Sequence, residues 1–123
     1  LVSLHGDNNV EVTLDVSMDP TALELDAAIS CGLIVNELVS NSFKHGLKYV
    51  EDGLLEIVFR QKNNSEHELI VSDNGAGLSE DESPFEDDSA GYSILKALVE
   101  YELDGRLNVQ SEDGFEAHVA FEV

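Results

Sequence analysis

The order of apolar patterns along the chain predicts a two-layer α/β sandwich, a mixed and mostly antiparallel sheet with helices on one face. Two kinds of stretch carry this reading. Apolar residues recur at every second position in several short runs, and at helical spacing in two longer ones. Strong turn signals separate the short runs, so the order reads strand, helix, hairpin, loop, helix, hairpin.

Each element has its own cause. Val10, Val12, Leu14 and Val16 alternate with Glu11, Thr13 and Asp15, which predicts a half-buried strand. Asp19-Pro20-Thr21 is a helix start, and a helical period runs without proline from about Leu23 to Leu47. Asp52-Gly53 is a turn, Leu55, Ile57 and Phe59 mark a second strand, and Asn63-Asn64-Ser65 turns into a third over His67 to Ser72. From Asp73 to Asp88 the chain has glycines, then acids, and little to bury. Helical spacing returns from Ala90 to Leu103 through Ile94, Leu95, Leu98 and Val99. Leu107 and Val109 form a short strand. Asp113-Gly114 is a hairpin turn, and Phe115, Ala117, Val119, Phe121 and Val123 alternate to the end.

At 123 residues and 42% hydrophobic, the sequence suits one domain with one core, covering 1–123. The chain opens at Leu1 and is read as a piece of a longer protein. Cys31 is the single cysteine, which excludes an internal disulfide and a cysteine cluster for zinc and suits a reducing, cytoplasmic setting. No apolar run approaches the roughly 20 residues that span a bilayer. Acidic residues number 26 against 6 basic ones, for a net charge of -20. Such a surface repels nucleic acid and anionic membrane, so neither is expected as a partner. Simple solubility, adaptation to high salt and balancing charge on partner domains all accommodate it.

Three segments carry chemistry. On the first helix, Glu37, Asn41, Lys44 and Lys48 follow at i, i+4, i+7 and i+11, which predicts one polar stripe, with Val35, Leu38, Val39 and Ser42 turned to the sheet. An ordinary amphipathic helix explains the spacing as well. Asparagine is a poor mid-helix residue, however, and Asn36 and Asn41 both sit among apolar neighbours. An amide oxygen can ligate magnesium, a carboxylate one turn away can take a proton or orient a hydroxyl, and a lysine can meet a phosphate as a point charge. The second segment, Ile70 to Leu78, is a strand running into Asp73, Gly75 and Gly77. The carboxylate can accept from an exocyclic amine, and glycine lets a planar ring approach the backbone; a plain turn reads the same way. The third, Ser89-Ala90-Gly91-Tyr92, opens the second helix, where free N–H groups and the dipole favour an anion; a simple entry capped by Ser89 is the alternative.

In this order the segments resemble the boxes of the GHKL ATPase superfamily, which includes gyrase, the ninety-kilodalton heat-shock chaperones, histidine kinases and mismatch-repair ATPases. Ala28 to Gly46 resembles the N box of short-lid sensor histidine kinases, Asp73-Asn74-Gly75-Ala76-Gly77-Leu78 the G1 box, and Ser89 to Leu95 the G2 box. The resemblance spans roughly residues 10 to 123 and implies a Bergerat-type fold. It implies that Asn41 ligates magnesium at the ATP phosphates, Glu37 acts as base or water-positioner, and Lys44 contacts phosphate. It places His45 near the ribose or phosphates and Asp73 on the adenine amine. Gly75, Gly77 and Leu78 then line the base, Ser89, Gly91 and Tyr92 border the phosphates, and the acidic stretch from Ser79 to Asp88 is the ATP lid.

Cofactors and partners follow from the same resemblance. It implies ATP and Mg2+, a histidine-bearing helical hairpin elsewhere in a homodimeric parent kinase, and a response regulator. The parent itself is compatible with a membrane anchor. Two departures motivate other readings. The second helix opens with Ser89, Gly91 and Tyr92 where the family has glycine and Gly-Leu. The lid has no lysine or arginine between Lys62 and Lys96, yet six acids from Glu80 to Asp88. A non-catalytic docking module for a response regulator is one alternative, and an anti-sigma-factor-type serine kinase the other. Of the remaining candidates, His67 and His118 read as surface strand residues and Cys31 as a core hydrophobe. Phe85 reads as a lid residue that packs on nucleotide or anchors the loop.

Overall fold

The computed structural model describes residues 2–5, 10–17, 23–47, 50–63, 65–75, 89–110 and 114–122, with side chains for the same residues except 2–5, 45–46 and 89–92. The strands are β1 (Val2–His5), β2 (Glu11–Ser17), β3 (Leu54–Gln61), β4 (Glu66–Asp73), β5 (Arg106–Gln110) and β6 (Phe115–Glu122). The helices are α1 (Leu25–Asn41) and α2 (Ser89–Ala97), each running on into one π-helical turn, Ser42–Gly46 and Leu98–Glu102. The order in the sheet is β1-β2-β3-β4-β6-β5. Only β2 and β3 pair in parallel, because the connection between them carries α1 and returns the chain to its starting end. β1 is an added edge strand, antiparallel to β2, that the patterning did not predict.

The sandwich forms because alternation in the strands meets helical spacing in α1 and α2. Phe115, Ala117, Val119 and Phe121 of β6 are buried while Glu116 and Glu122 are exposed. Leu69 and Val71 of β4 join them, and Leu55 of β3 completes the row. Ile34 and Leu38 of α1 and Leu95 and Val99 from the second helical segment close the core from above. Cys31 lies in it as expected, and burial pushes its thiol up to about 11. Val35 and Val39 are only half-buried, so the core side of α1 is centred on Ser30, Ile34 and Leu38 rather than on the valines. β2 forms where the pattern placed it, but its burial does not alternate: residues 11–13 are half-buried and 14–17 exposed, Leu14 and Val16 among them.

The far end of the sheet corrects one expectation. His67 is not a surface residue; it is 1% exposed and stacks on Phe121, with ring centroids 5.4 Å apart at 15°. Period two is the reason, since His67 shares a face with Leu69 and Val71. Among the described residues neither of its ring nitrogens finds a hydrogen-bond partner. The chain turns from α2 into β5 at Asp104, with φ of 51°, and Gly105. A Cβ on Gly105 would stand 2.5 Å from the Ala120 carbonyl oxygen, so this crossing over β6 requires glycine. No described helix is long and apolar enough to cross a membrane.

An orphaned buried imidazole costs more than a ring of similar shape without polar atoms. His67→Phe is therefore expected to stabilise the chain by about 1 kcal/mol and to raise the thermal midpoint by a few degrees, read by calorimetry.

Candidate functional site

The strand alternation that buries His67 also buries Asp73, at the other end of the same row of β4. Asp73 is 8% exposed. Its Oδ1 accepts the Gly75 N–H at 2.9 Å, while its Oδ2 is buried without a partner among the described residues. A buried carboxylate oxygen left unbonded is costly unless a donor arrives from outside the chain.

Neighbouring residues hold this carboxylate in place. Asp73 pairs with Leu55 of β3 on one side and Phe115 of β6 on the other. Asn74 clamps the start of β3: its Oδ1 accepts the Leu54 N–H at 2.6 Å, its Nδ2 donates to the Asp52 carbonyl at 3.0 Å, and its backbone N–H donates to the Leu54 carbonyl at 3.1 Å. Gly114 opens β6 with φ of +112°, and a Cβ there would lie 2.2 Å from the Asp73 carbonyl oxygen. Sequence reading took Asn74 as part of a motif and Gly114 as a hairpin signal. Their positioning roles become visible only when the register of β4 and β6 brings them to Asp73.

The end of α1 reaches the same end of the sheet. Leu47 is buried, and its Cδ2 stands 3.2 Å from where a Gly53 Cβ would be, one residue before β3. Asn41, one residue before the π turn, is 6% exposed, and its Nδ2 and the Ser42 Oγ are buried without partners among the described residues. Glu37, one turn earlier, is half-buried, and Lys44 is exposed. The predicted single stripe is therefore corrected. Asn41 turns inward beside Leu38, and the π turn, closed by the Leu47 N–H on the Ser42 carbonyl at 2.8 Å, changes the phase before Lys44. π turns of this kind recur at functional sites.

α2 starts at Ser89, so Ser89 and Gly91 lie in its first turn rather than ahead of it. Its continuation ends against β6 at the far end of the sheet. Fourteen helical residues, 9 in α2 and 5 in its π turn, cover roughly 20 Å. The backbone of His45 lies in the π turn after α1. Gly77, Leu78, Phe85 and the acidic stretch lie outside the described residues.

Asp73, Gly75 and Gly114 share the end of the sheet that the chain following α1 reaches at Leu47. Asp73 fits a base with an exocyclic amine. The described residues hold no cluster of three or more His, Cys, Asp or Glu able to bind a metal ion. Magnesium fits in another way, since it keeps waters and is commonly held by one protein oxygen together with substrate phosphates. Any such role for Asn41 would fall to its Oδ1; the atom left unmatched is its Nδ2, a donor, which fits an acceptor oxygen rather than a metal ion.

A separate charged cluster occupies the opposite face of the sheet. Glu68 is buried there with its carboxylate bonded by Arg60, by His118 Nε2 at 2.7 Å, and approached by Lys62 at 3.5 Å. Burial pushes the Glu68 carboxyl up, but hydrogen bonds from His118 and Arg60 and the charges of Arg60 and Lys62 outweigh it and hold it below 4.5. His118 is thus a half-buried partner of Glu68 rather than a free surface residue.

The sandwich is that of the histidine kinase ATP-binding domains. The structure superposes on the histidine kinase domain of the Erythrobacter litoralis EL346 blue-light-activated kinase with a TM-score of 0.75 and 22% identity, over 89% of this chain and 51% of that one. On the nucleotide-free catalytic domain of histidine kinase ThkA the TM-score is 0.70 at 16% identity, over 93% and 80%. The family model for histidine kinase-, DNA gyrase B- and HSP90-like ATPases matches residues 27–123, and the chain belongs to that family. Among curated proteins it is 28% identical over 92 residues to the sensor histidine kinase PdtaS of Mycobacterium tuberculosis, covering 75% of this chain and 18% of that protein. It is 25% identical over 105 residues to blue-light-activated histidine kinase 2 of Erythrobacter litoralis, covering 85% and 30%. The chain thus spans less than a third of the length of these relatives.

Two outcomes are expected. Gly114→Ala, which strains a positive φ and meets the Asp73 carbonyl, should lower stability by about 2 kcal/mol or more in urea unfolding. The depressed Glu68 contributes stability that is present above its unfolded value near 4.5 and is lost as pH falls through the lower folded value. The advantage of the native chain over Glu68→Gln should accordingly be full at neutral pH and shrink below about pH 4.5, read by denaturation across pH.

Proposed function

We propose that this chain is the ATP-binding catalytic domain of a two-component sensor histidine kinase. It binds Mg-ATP and donates the γ-phosphoryl group to a histidine on a helical hairpin elsewhere in the parent protein. The observation that carries the reading is the Asp73 Oδ2, a buried acceptor with no donor among the described residues. An adenine amine supplies the missing N–H, and the Gly75 N–H already fixes the other oxygen.

The chain's own residues then divide the work. Asp73 and Gly75 would hold the base, the resemblance gives Gly77 and Leu78 to the same task, and the first turn of α2, with Ser89, Gly91 and Tyr92, would offer N–H groups to the phosphates. Lys44 and His45, in the π turn after α1, would contact the phosphates or ribose. Asn41 would hold magnesium, which supplies charge neutralisation at the phosphates when bound. In the transfer, an imidazole nitrogen of the acceptor histidine forms a bond to the γ-phosphorus, the bond to the β–γ bridging oxygen breaks, and ADP leaves with that electron pair. Glu37 is the group nearest Asn41 along α1 able to accept or orient the imidazole proton. Positioning and electrostatics supply most of the rate. The parent would be a cytoplasmic-facing homodimer that hands the phosphoryl group to a response regulator.

Titration calorimetry with a non-hydrolysable ATP analogue, with and without magnesium at low and high salt, tests the reading. Magnesium-dependent binding is expected. Asp73→Asn should weaken it by about tenfold or more, since an acceptor oxygen in a dry site is replaced by a donor facing a donor. Asn41→Ala should reduce the magnesium dependence. A chain that binds no nucleotide at any salt would favour the docking module, for which the serine-opened α2 and the acidic lid sequence speak.

A further inference from the structure

β4 carries Asp73 at one end and His67 near the other, about 20 Å apart at the rise of an extended strand. At the His67 end lies a cleft of about 320 Å³. That is the lower end of the roughly 300–1,000 Å³ of ligand pockets, so it suits a small molecule. The crossing at Asp104 and Gly105, the starts of β4 and β5 and the end of β6 line it.

Three parts of this lining are unmatched within the described residues. His67 is 1% exposed and neither ring nitrogen has a partner. A neutral imidazole has one donor and one acceptor, so both are idle. Glu66 and Glu122 stand directly opposite each other in the register of β4 and β6, and like charges so placed repel. Neither of them, nor Asp104, has a cationic partner among the described residues. Arg106 opens β5 and pairs there with no carboxylate, although the chain has 26 acids for 6 bases. Lys62, the other base of the lining, approaches Glu68 at 3.5 Å.

We propose that this cleft is a second ligand site, separate from the nucleotide site, for a small zwitterion of the amino-acid type. The carboxylate of such a molecule meets Arg106 and Lys62, its ammonium relieves the repulsion between Glu66 and Glu122, and His67 borders it with a free donor and acceptor. Charge selects this class over its simpler halves. A chain of net charge -20 repels a bare anion, and two bases beside three acids do not reverse that field. A bare cation satisfies the acids but leaves Arg106 unmatched. A metal ion lacks ligands, since no three His, Cys, Asp or Glu of the described residues cluster to hold one. A zwitterion is neutral overall and serves both signs at once. The inference stands on these residues alone and goes beyond the kinase reading.

Nuclear magnetic resonance of the chain labelled with ¹⁵N-histidine tests it. The probes are L-alanine, propionate (alanine without its amine) and ethylammonium (alanine without its carboxylate). His67→Phe, which removes the orphaned ring nitrogens, assigns the His67 ring signals by their loss. L-alanine is expected to shift those signals saturably and to bind at least about tenfold more tightly than either half, because each half forfeits one set of charged hydrogen bonds. Arg106→Gln and Glu122→Gln should each weaken alanine binding by about tenfold. No saturable shift of the His67 signals would overturn the proposal. So would propionate or ethylammonium binding as tightly as alanine, which would make the cleft a site for a simple ion. Alanine binding unchanged in both variants would overturn it too. None of these residues belongs to the nucleotide site, so ATP-analogue binding tests the kinase reading separately.

Discussion

The site depends on a carboxylate held in a dry place with one oxygen unmatched. Asp73 reaches that position because β4 runs between β3 and β6, so its backbone is fixed from both sides. Asn74 ties the strand end to the turn before β3, and Gly114 admits the Asp73 carbonyl where any side chain would collide. Moving any one of the three would let the carboxylate swing toward water and satisfy itself there. Specificity of this kind comes from denying a polar atom every partner except the one it is meant to find.

The helices meet the site by a shared device. Both α1 and α2 finish in a π turn, closed by Leu47 on Ser42 and by Leu103 on Leu98. After α1 the turn separates the inward Asn41 from the outward Lys44, so two polar groups a helical turn apart serve different surroundings. After α2 it leads into the close crossing at Gly105, which pins the end of this helical segment against Ala120 and Phe121 of β6.

Much of this was legible in the sequence, because alternation and helical spacing report burial directly. The β2 to β6 strands, both helices and the hairpin turns followed from period and turn residues; Asn41 stood out among apolar neighbours, and Asp73 as the acid at a strand end before two glycines. β1 went unread although Val2-Ser3-Leu4-His5 alternates, because four residues are too short a run to stand out as a strand. His67 was misjudged because histidine's polarity was weighed above the strand phase set by Leu69 and Val71. The stripe on α1 failed at one point for a related reason: a constant 100° step cannot foresee a π turn, whose cause lies in the packing at the helix end. Asn74 and Gly114 act through partners 20 and about 40 residues away, respectively, which only the pairing register can bring together.

The strand order has a consequence for how the chain acquires this shape. β6 follows the other described strands in sequence, yet it lies inside the sheet between β4 and β5. Until it inserts, β4 offers a row of unpaired N–H and C=O groups beside Leu69 and Val71, an open template for any other extended chain. The pairing that closes it joins residues about fifty positions apart, such as His67 and Phe121, and so must await slow, long-range loop closure. The period of greatest risk for aggregation therefore falls just before β6 inserts, and a net charge of -20 over these 123 residues keeps neighbouring chains apart through that interval.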